Sequence, residues 1–346
     1  MDERIRYYSI HNFVKFKIVD RSKFFESMFS MVNIEYENFE VENIDDVDFT
    51  IYLGTFIPNN SDCKILDNKY YIKDGYIYAR ESHKSASWEF EIEDLDSADT
   101  KVRISFNSAA SMIIPDYVIN LIIFSKLNEK GYSIIHGAGI SRDGSGYVFS
   151  GQGGCGKTTT ALYSLENGYK FLGDNFLILH KDRVYSYLSP LNIFSFNFLT
   201  SLKKSLGRLK KVEYHVKAVL SKTTGITIVT KVNPKLVFPR SVGSQSGLTK
   251  LFVVLPNNDW KAQKISKQDA KRYLVSNVKL DFVSMTKYFS MYGFVFPESA
   301  FGRFWEIYES NLDSNLSEGL CYYNVEVPQK YTQKTFDRFV GLIQDE

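Results

Sequence analysis

The feature that most constrains this chain is a glycine-rich run set between a strand pattern and a helix pattern. Residues 151–158 read GQGGCGKT and fit G-x-x-x-x-G-K-[ST] at every fixed position. An apolar run at 147–150 precedes them, and a helical pattern over 157–167 follows. Such loops bring backbone N–H groups and the positive end of a helix to phosphate oxygens. The run therefore predicts a phosphate-binding loop; the alternative is a flexible turn that happens to precede a lysine.

The pattern also assigns tasks to individual residues. In loops of this type the lysine reaches the outer phosphates and the hydroxyl that follows it binds Mg²⁺. The sequence thus predicts ATP and Mg²⁺ as cofactors. The residues expected to bind the nucleotide are Gly151, Gly153, Gly154, Cys155, Gly156, Lys157, Thr158 and Thr159. A thiol at a helix amino terminus can act as a nucleophile or redox sensor, but an ordinary loop residue is the simpler interpretation of Cys155.

A single acid, Asp174, follows the loop after one short helix. A helix of about 11 residues travels about 16 Å away from the loop at 1.5 Å per residue. A strand of about five residues, at about 3.3 Å each, returns the same distance. The spacing therefore predicts that the carboxylate of Asp174 comes back to the loop, where Asp174 and Thr158 would form the metal side of the site.

Residues 136–175, HGAGISRDGSGYVFSGQGGCGKTTTALYSLENGYKFLGDN, resemble the core of the HPr kinase/phosphorylase family. The resemblance covers roughly residues 130–180. It lies in His136-Gly137 before the loop, the loop itself, the helix ending at 167–169, and an acid-bearing turn at 173–175. That family shares its phosphate-binding architecture with phosphoenolpyruvate carboxykinase.

The resemblance implies an α/β fold in which a PEP-carboxykinase-like P-loop core follows an N-terminal β-rich region. It implies an ATP-dependent kinase that transfers a phosphoryl group to a hydroxyl of a peptide or protein serine, or of a small hydroxylated metabolite. By the same resemblance, His136 lies near the reacting phosphoryl group, Lys157 neutralises its charge and Thr158 binds the metal. Arg240, in LVFPRSVG, is a candidate for the distal arginine near the transferred phosphate.

The turn at 173–175 departs from the family pattern. The family has two adjacent aspartates there, and the second, generally the catalytic one, is replaced by Asn175. Asparagine can contact a metal but cannot accept a proton at neutral pH. Either Asp174 takes over the base or metal role, or the chain is a nucleotide-binding regulatory or interaction protein with weakened or lost catalysis. The catalytic candidates are Lys157, Asp174, His136, Asn175 and Arg240.

The remaining patterns indicate a β-rich region at residues 1–110, and the resemblance implies that residues 111–346 form an HPr-kinase-like P-loop kinase domain. Short alternating runs fill the first region, with a hairpin turn at Asp74-Gly75, and Pro115 opens a buried helix. After residue 193 the signals weaken. A strand is predicted over 248–256, and helices are predicted over 201–220 with a break at Gly207, over 266–275 and over 331–343.

Composition limits the classes of partner. The chain has 44% hydrophobic residues, and its three cysteines are far apart in a sequence without a secretory or membrane-spanning pattern, which favours the reducing cytoplasm. Residues 1–130 carry 15 basic and 23 acidic side chains, whereas residues 193–250 carry 11 basic and one acidic. The basic stretch at 201–217 has no aromatic stacking platform, so no nucleic-acid partner is expected. Two interpretations of this stretch remain: a solvated helix face, or a docking surface for an acidic peptide or protein substrate. The resemblance is compatible with a homo-oligomer.

Overall fold

Two units, each with its own large sheet, make up the chain in the computed structural model. The structure describes residues 4–21, 32–111, 113–193, 207–224, 230–329 and 331–345. The first unit comprises Met1–Tyr132 and Asp281–Asn311, and the second comprises Ser133–Leu280 and Leu312–Glu346. The sequence-based division at residue 110 differs from this one, because the helix after Pro115 groups with the first sheet and a later segment returns to it.

The first unit is built on a nine-stranded mixed sheet in the order β3-β1-β2-β4-β9-β8-β7-β6-β5. Strand β4 pairs in parallel with β2 and β9, and the other neighbours pair antiparallel. The strands are β1 (Arg4–Ile10), β2 (Val14–Asp20), β3 (Glu40–Val41), β4 (Phe49–Leu53), β5 (Lys64–Leu66), β6 (Tyr70–Lys73), β7 (Tyr76–His83), β8 (Ala86–Glu93) and β9 (Thr100–Phe106). The predicted hairpin is confirmed: β6 and β7 pair around Asp74-Gly75, with Gly75 at φ 65°.

Helices of the first unit come from both of its chain segments. Pro115 opens a π-helical turn, Pro115–Ile119, that leads into α1, and the interior of α1 is buried, as its apolar circumference predicts. Short 3₁₀ turns lie at Glu37–Phe39 and Ser108–Ala110. The helices are α1 (Asn120–Glu129), α6 (Val283–Val295) and α7 (Phe304–Asn315), whose last four residues belong to the second unit.

Eight strands form the main sheet of the second unit. Its strands are β10 (Ser133–Arg142), β11 (Ser145–Ser150), β12 (Lys170–Gly173), β13 (Phe176–His180), β14 (Arg183–Ser186), β17 (Gln245–Asn257), β18 (Lys261–Lys264) and β19 (Cys321–Pro328); β15 (Leu191–Ile193) and β16 (Thr230–Val232) form a separate pair. β10 pairs with β11 and β13, β13 with β14, β14 with β17, and β17 in parallel with β11. These five strands therefore close a ring of pairings, and β11 is held on both sides.

The second unit also contains α2 (Lys157–Glu166), α3 (Arg208–Thr224), α4 (Pro234–Val237), α5 (Lys267–Asp281), whose last residue falls in the first unit, and α8 (Gln333–Gln344). The predicted helices over 157–167, 266–275 and 331–343 are thus present, with α5 longer than expected. Of the helix predicted over 201–220, residues 201–206 lie outside the described part. No helix in the described ranges is both long enough and apolar enough to cross a bilayer.

The architecture as a whole is α/β, with mixed sheets and helices in both units. In the second unit, Phe149 on β11, Phe252 on β17 and Phe339 on α8 pack together in the buried core. Because β11 is anchored through this core, the loop at its carboxyl end starts from a fixed point.

Candidate functional site

The glycine loop, residues 151–156, connects β11 to α2. Gly156 adopts a left-handed backbone, with φ 88°, immediately before the first helical residue, a conformation that glycine takes without strain. A Cβ atom added at Gly151 would clash with the carbonyl oxygen of Val254, and one at Gly156 would lie 2.5 Å from the Tyr331 ring. Atoms added at Gly153 and Gly154 would meet nothing within 4 Å. The loop is therefore packed against the protein at both ends and open in its middle.

Lys157 is the first residue of α2, and its side chain is buried. Its Nζ donates hydrogen bonds to the carbonyl oxygens of Gly151 at 2.5 Å and Gln152 at 3.1 Å. Buried charges are stable when they are paired or hydrogen-bonded, and carbonyl oxygens satisfy an ammonium group without neutralising it. The Lys157 ammonium group is thus held at the base of the glycine loop.

Asp174 lies directly beside the first turn of α2. Its Oδ2 accepts a hydrogen bond of 2.8 Å from Thr158 Oγ1, so the return of this carboxylate to the loop that the spacing predicts is seen in the structure. Burial raises the pKa of the Asp174 carboxyl group, and the opposing influences are Thr158, Lys157, His136 and the backbone N–H of Asn175. A hydroxyl and a carboxylate in contact form the kind of oxygen-donor pair that Mg²⁺ prefers.

Asn175 follows Asp174 in a left-handed backbone conformation, with φ 78°. Its carbonyl oxygen accepts a hydrogen bond of 3.0 Å from the backbone N–H of Gly137 on β10. Among residues other than glycine, asparagine and aspartate are the most common in this region of φ and ψ. The turn therefore gives a backbone reason for Asn175 that is independent of proton transfer.

His136 pairs with Phe176 where β10 meets β13, one residue from the Gly137–Asn175 hydrogen bond. Its ring lies 6.2 Å from that of Phe176 and close enough to Asp174 to oppose part of the burial-driven rise in the pKa of the Asp174 carboxyl group. The structure thus brings His136, Lys157, Thr158, Asp174 and Asn175 to one place.

Arg240 is placed elsewhere. Val242 forms a parallel bridge with Phe171 on β12, so Arg240 lies level with Tyr169, at the start of that strand. Asp174 is five residues further along, or about 16 Å of extended chain. Arg240 is also exposed. Arg240 is therefore not part of this cluster, because the bridge register sets it at the opposite end of β12.

Two other residues predicted to bind the nucleotide, Cys155 and Thr159, lie where the structure indicates no side-chain role. Cys155 is buried, and burial raises the pKa of its thiol, which disfavours the reactive thiolate. Thr159 is half-buried in the first turn of α2. Neither the position of Cys155 nor that of Thr159 indicates a role beyond the backbone of the loop.

Two residues at the site were not found from the sequence. Asn277 on α5 is buried and hydrogen-bonded to His136 on β10 and to Ser150 at the end of β11. Tyr331 packs its ring on Gly156 and shares a hydrogen bond of 2.6 Å with Thr160 Oγ1. The sequence signal for Asn277 was a polar residue beside the apolar positions Leu274 and Val278; Tyr331 had none, because it reaches the loop from 175 residues further along the chain.

In the described ranges, His, Cys, Asp and Glu side chains do not gather in groups of three or more that could hold a metal ion. A metal at this site would therefore use Thr158, Asp174 and oxygens supplied by its ligand. That arrangement suits Mg²⁺, which binds through one or two carboxylates together with phosphates and water.

No family model matches the chain, and no curated protein matches it. Among solved structures, the chain is similar to the HPr(Ser) kinase/phosphatase from Coxiella burnetii at 10% sequence identity and a TM-score of 0.28. The match covers 61% of this chain and 88% of that one. Similarity at this level assigns neither an activity nor site residues.

Proposed function

We propose that the second unit binds ATP with Mg²⁺ at the glycine loop and transfers the γ-phosphoryl group to a hydroxyl group. The observation that supports this most is the 2.8 Å hydrogen bond between Thr158 and Asp174 beside the buried Lys157. A loop open at Gly153 and Gly154 would admit phosphates to backbone N–H groups, and the positive end of α2 would favour their charge. These are the elements that phosphoryl transfer uses for positioning and charge neutralisation.

Each side chain has a task in this proposal. Lys157 exchanges its carbonyl partners at Gly151 and Gln152 for phosphate oxygens and neutralises part of their charge. Thr158 and Asp174 would hold Mg²⁺, which would neutralise charge on the phosphates when bound. Because the pKa of Asp174 is raised by burial, a nearby cation would also favour its ionised form.

In the transfer itself, the acceptor oxygen forms a bond to the γ-phosphorus, and the bond from that phosphorus to the ADP oxygen breaks. The hydroxyl proton passes to a base. Asn175 cannot take this proton, so the candidates are Asp174 and His136, which lies on the neighbouring strand β10. The proposed acceptor is a serine of a peptide or protein, or a small hydroxylated metabolite.

A second function, nucleotide binding without efficient transfer, is favoured by one observation. Asn175 occupies the second acid position of the turn, and its left-handed backbone provides a structural reason for an asparagine there. Both functions require ATP binding at the glycine loop. They differ in whether ADP is released when an acceptor is present.

The test is a titration of the full chain with ATP and Mg²⁺, followed by assays of ADP release and phosphate transfer to serine peptides and hydroxylated small molecules. Lys157→Ala is expected to weaken ATP binding by about a hundredfold, since it removes a charged donor to phosphate. Lys261→Ala, at an exposed lysine on β18, is the matched control and should bind like the wild type.

The outcomes separate the alternatives. ATP binding that Lys157→Ala weakens to the expected extent, with transfer to at least one acceptor class, supports the kinase. The same Lys157-dependent ATP binding, without phosphoryl transfer to any acceptor, supports the regulatory function. A wild-type chain that does not bind ATP, or a Lys157→Ala chain that binds it normally, contradicts both.

A further inference from the structure

One buried amide connects three chain segments at the site. Asn277 on α5 donates from Nδ2 to the carbonyl oxygen of His136 at 3.0 Å and to Ser150 Oγ at 2.9 Å. Ser150 Oγ in turn donates to the carbonyl oxygen of His136 at 2.8 Å. Gln152 Nε2 donates to Asn277 Oδ1 and, at 3.4 Å, to its backbone oxygen. The Asn277 side chain therefore uses both its donor and its acceptor ends.

The three partners of Asn277 have distinct positions. His136 is a catalytic candidate on β10, Ser150 is the last residue of β11, and Gln152 is the second residue of the glycine loop. The carbonyl oxygen of Gln152 is also a hydrogen-bond acceptor for Lys157 Nζ. Asn277 thus fixes the start of the glycine loop relative to His136, the residue proposed to lie near the reacting phosphoryl group.

We propose that Asn277 is a positioning residue that holds the glycine loop in the conformation that binds nucleotide phosphates. Its catalytic consequence rests on the proposed function. An amide is suited to this place, because it donates to two strand ends and accepts from the loop without adding a charge to a buried site. Aspartate at position 277 would lack the N–H groups that donate to His136 and Ser150. An apolar residue would lack both these donors and the oxygen that accepts from Gln152.

The inference is tested with three single variants, the double variant of Asn277→Leu with Gln152→Ala, and two readouts. Asn277→Leu removes the whole connection, Gln152→Ala removes only the loop arm, and Ser276→Ala changes an exposed residue on the same helix as a control. The first readout is amide hydrogen exchange of residues 151–156 without nucleotide. The second is ATP affinity in the presence of Mg²⁺, measured beside the unfolding midpoint.

We expect Asn277→Leu to speed exchange of the loop amides and to weaken ATP binding by about tenfold, the loss expected for one or two hydrogen bonds. Gln152→Ala should reproduce most of the loop effect, since Gln152 is the connection to the loop. The double variant should add little to either single change, because contacting residues in one network are non-additive. Ser276→Ala should behave as wild type in both readouts.

A merely structural asparagine would give a different result. Asn277→Leu would lower the unfolding midpoint while leaving loop exchange and ATP affinity of the folded protein unchanged, and that would overturn the inference. If Asn277→Leu does not fold, the Gln152→Ala variant provides the test, because the exposed Gln152 side chain is not needed for packing. Unchanged exchange of the loop amides in Gln152→Ala would also overturn the inference. Absence of ATP binding by the wild type would contradict the proposed function, while the exchange readout would still decide the role of Asn277.

Discussion

Asp174 combines a role in the proposed function with a cost to stability. Its carboxyl group is buried beside Thr158, and desolvation is the largest influence on its pKa, which is raised. The folded chain therefore keeps a proton on Asp174 at pH values where the unfolded chain has already lost it. Stability consequently falls as the pH rises from the ordinary carboxyl range to the raised pKa, and the whole cost is present above that pKa.

Asp174→Asn is expected to remove this cost. The amide oxygen can still accept the hydrogen bond from Thr158, while no buried charge forms at high pH. The free energy of unfolding of the variant should exceed that of the wild type at pH 7.5, and the difference should shrink as the pH falls toward 4. Denaturant unfolding at several pH values measures this, and a difference that grows on acidification would contradict the burial argument.

Asn175 gives a second prediction at the residue scale. Asn175→Ala should destabilise the chain by about 1 kcal/mol, because alanine tolerates the left-handed backbone less well than asparagine. Asn175→Asp should fold normally and should increase phosphoryl transfer if the side chain faces the acceptor. Unchanged transfer in a stable Asn175→Asp chain would assign the base role to Asp174 or His136.

Among the structural elements, the segment from β10 to β13 contains most of the site, and much of it could be predicted from local rules. Gly168, at φ 82°, allows the chain to turn after α2. The lengths of α2 and β12 then bring Asp174 back to Thr158. Arg240, by contrast, was assigned by resemblance alone, and the register of its bridge to β12 could not be read from the sequence. Asn277 and Tyr331 were missed because they meet the loop only through long-range packing.

The packing of Tyr331 on Gly156 predicts that a side chain at position 156 lowers both stability and ATP binding. Gly156→Ala should destabilise the chain by about 2–5 kcal/mol, from about 1–2 kcal/mol for a left-handed alanine and about 1–3 kcal/mol for the clash with the ring. ATP binding should weaken as well. The double variant with Tyr331→Leu should recover the part due to the clash. Thermal unfolding and ATP titration measure both effects; no recovery in the double variant would show that the ring is not the obstacle.

For the whole molecule, the main consequence of the fold is that the first unit is made of two chain segments. Phe282 stacks on Phe124, Tyr288 packs edge-on against Phe90, and the hydroxyl of Tyr292 accepts a hydrogen bond from the Gly75 N–H at 2.9 Å. The segment Asp281–Asn311 therefore depends on the amino-terminal sheet for its burial. The sequence signals did not show this, since α6 and α7 have no marked local pattern.

Expression of residues 133–346 alone should consequently give aggregated protein. The buried aromatic residues of 281–311 would be exposed as one apolar patch. Replacing residues 281–311 in that fragment with a flexible glycine-serine linker of the same length should restore solubility. Soluble yield and size-exclusion profiles compare the two fragments; equal solubility would show that the segment does not need the first sheet.

Calorimetric titration of the full chain with ATP, with and without Mg²⁺, tests most directly the claim that Thr158 and Asp174 form the metal side of a nucleotide site. The wild type should bind ATP more tightly with Mg²⁺ than without it, and Asp174→Asn should lose most of that difference while retaining the Mg²⁺-independent affinity that Lys157 provides. ATP binding that is equally sensitive to Mg²⁺ in the wild type and in Asp174→Asn would contradict the assignment of Asp174 to the metal side of the site.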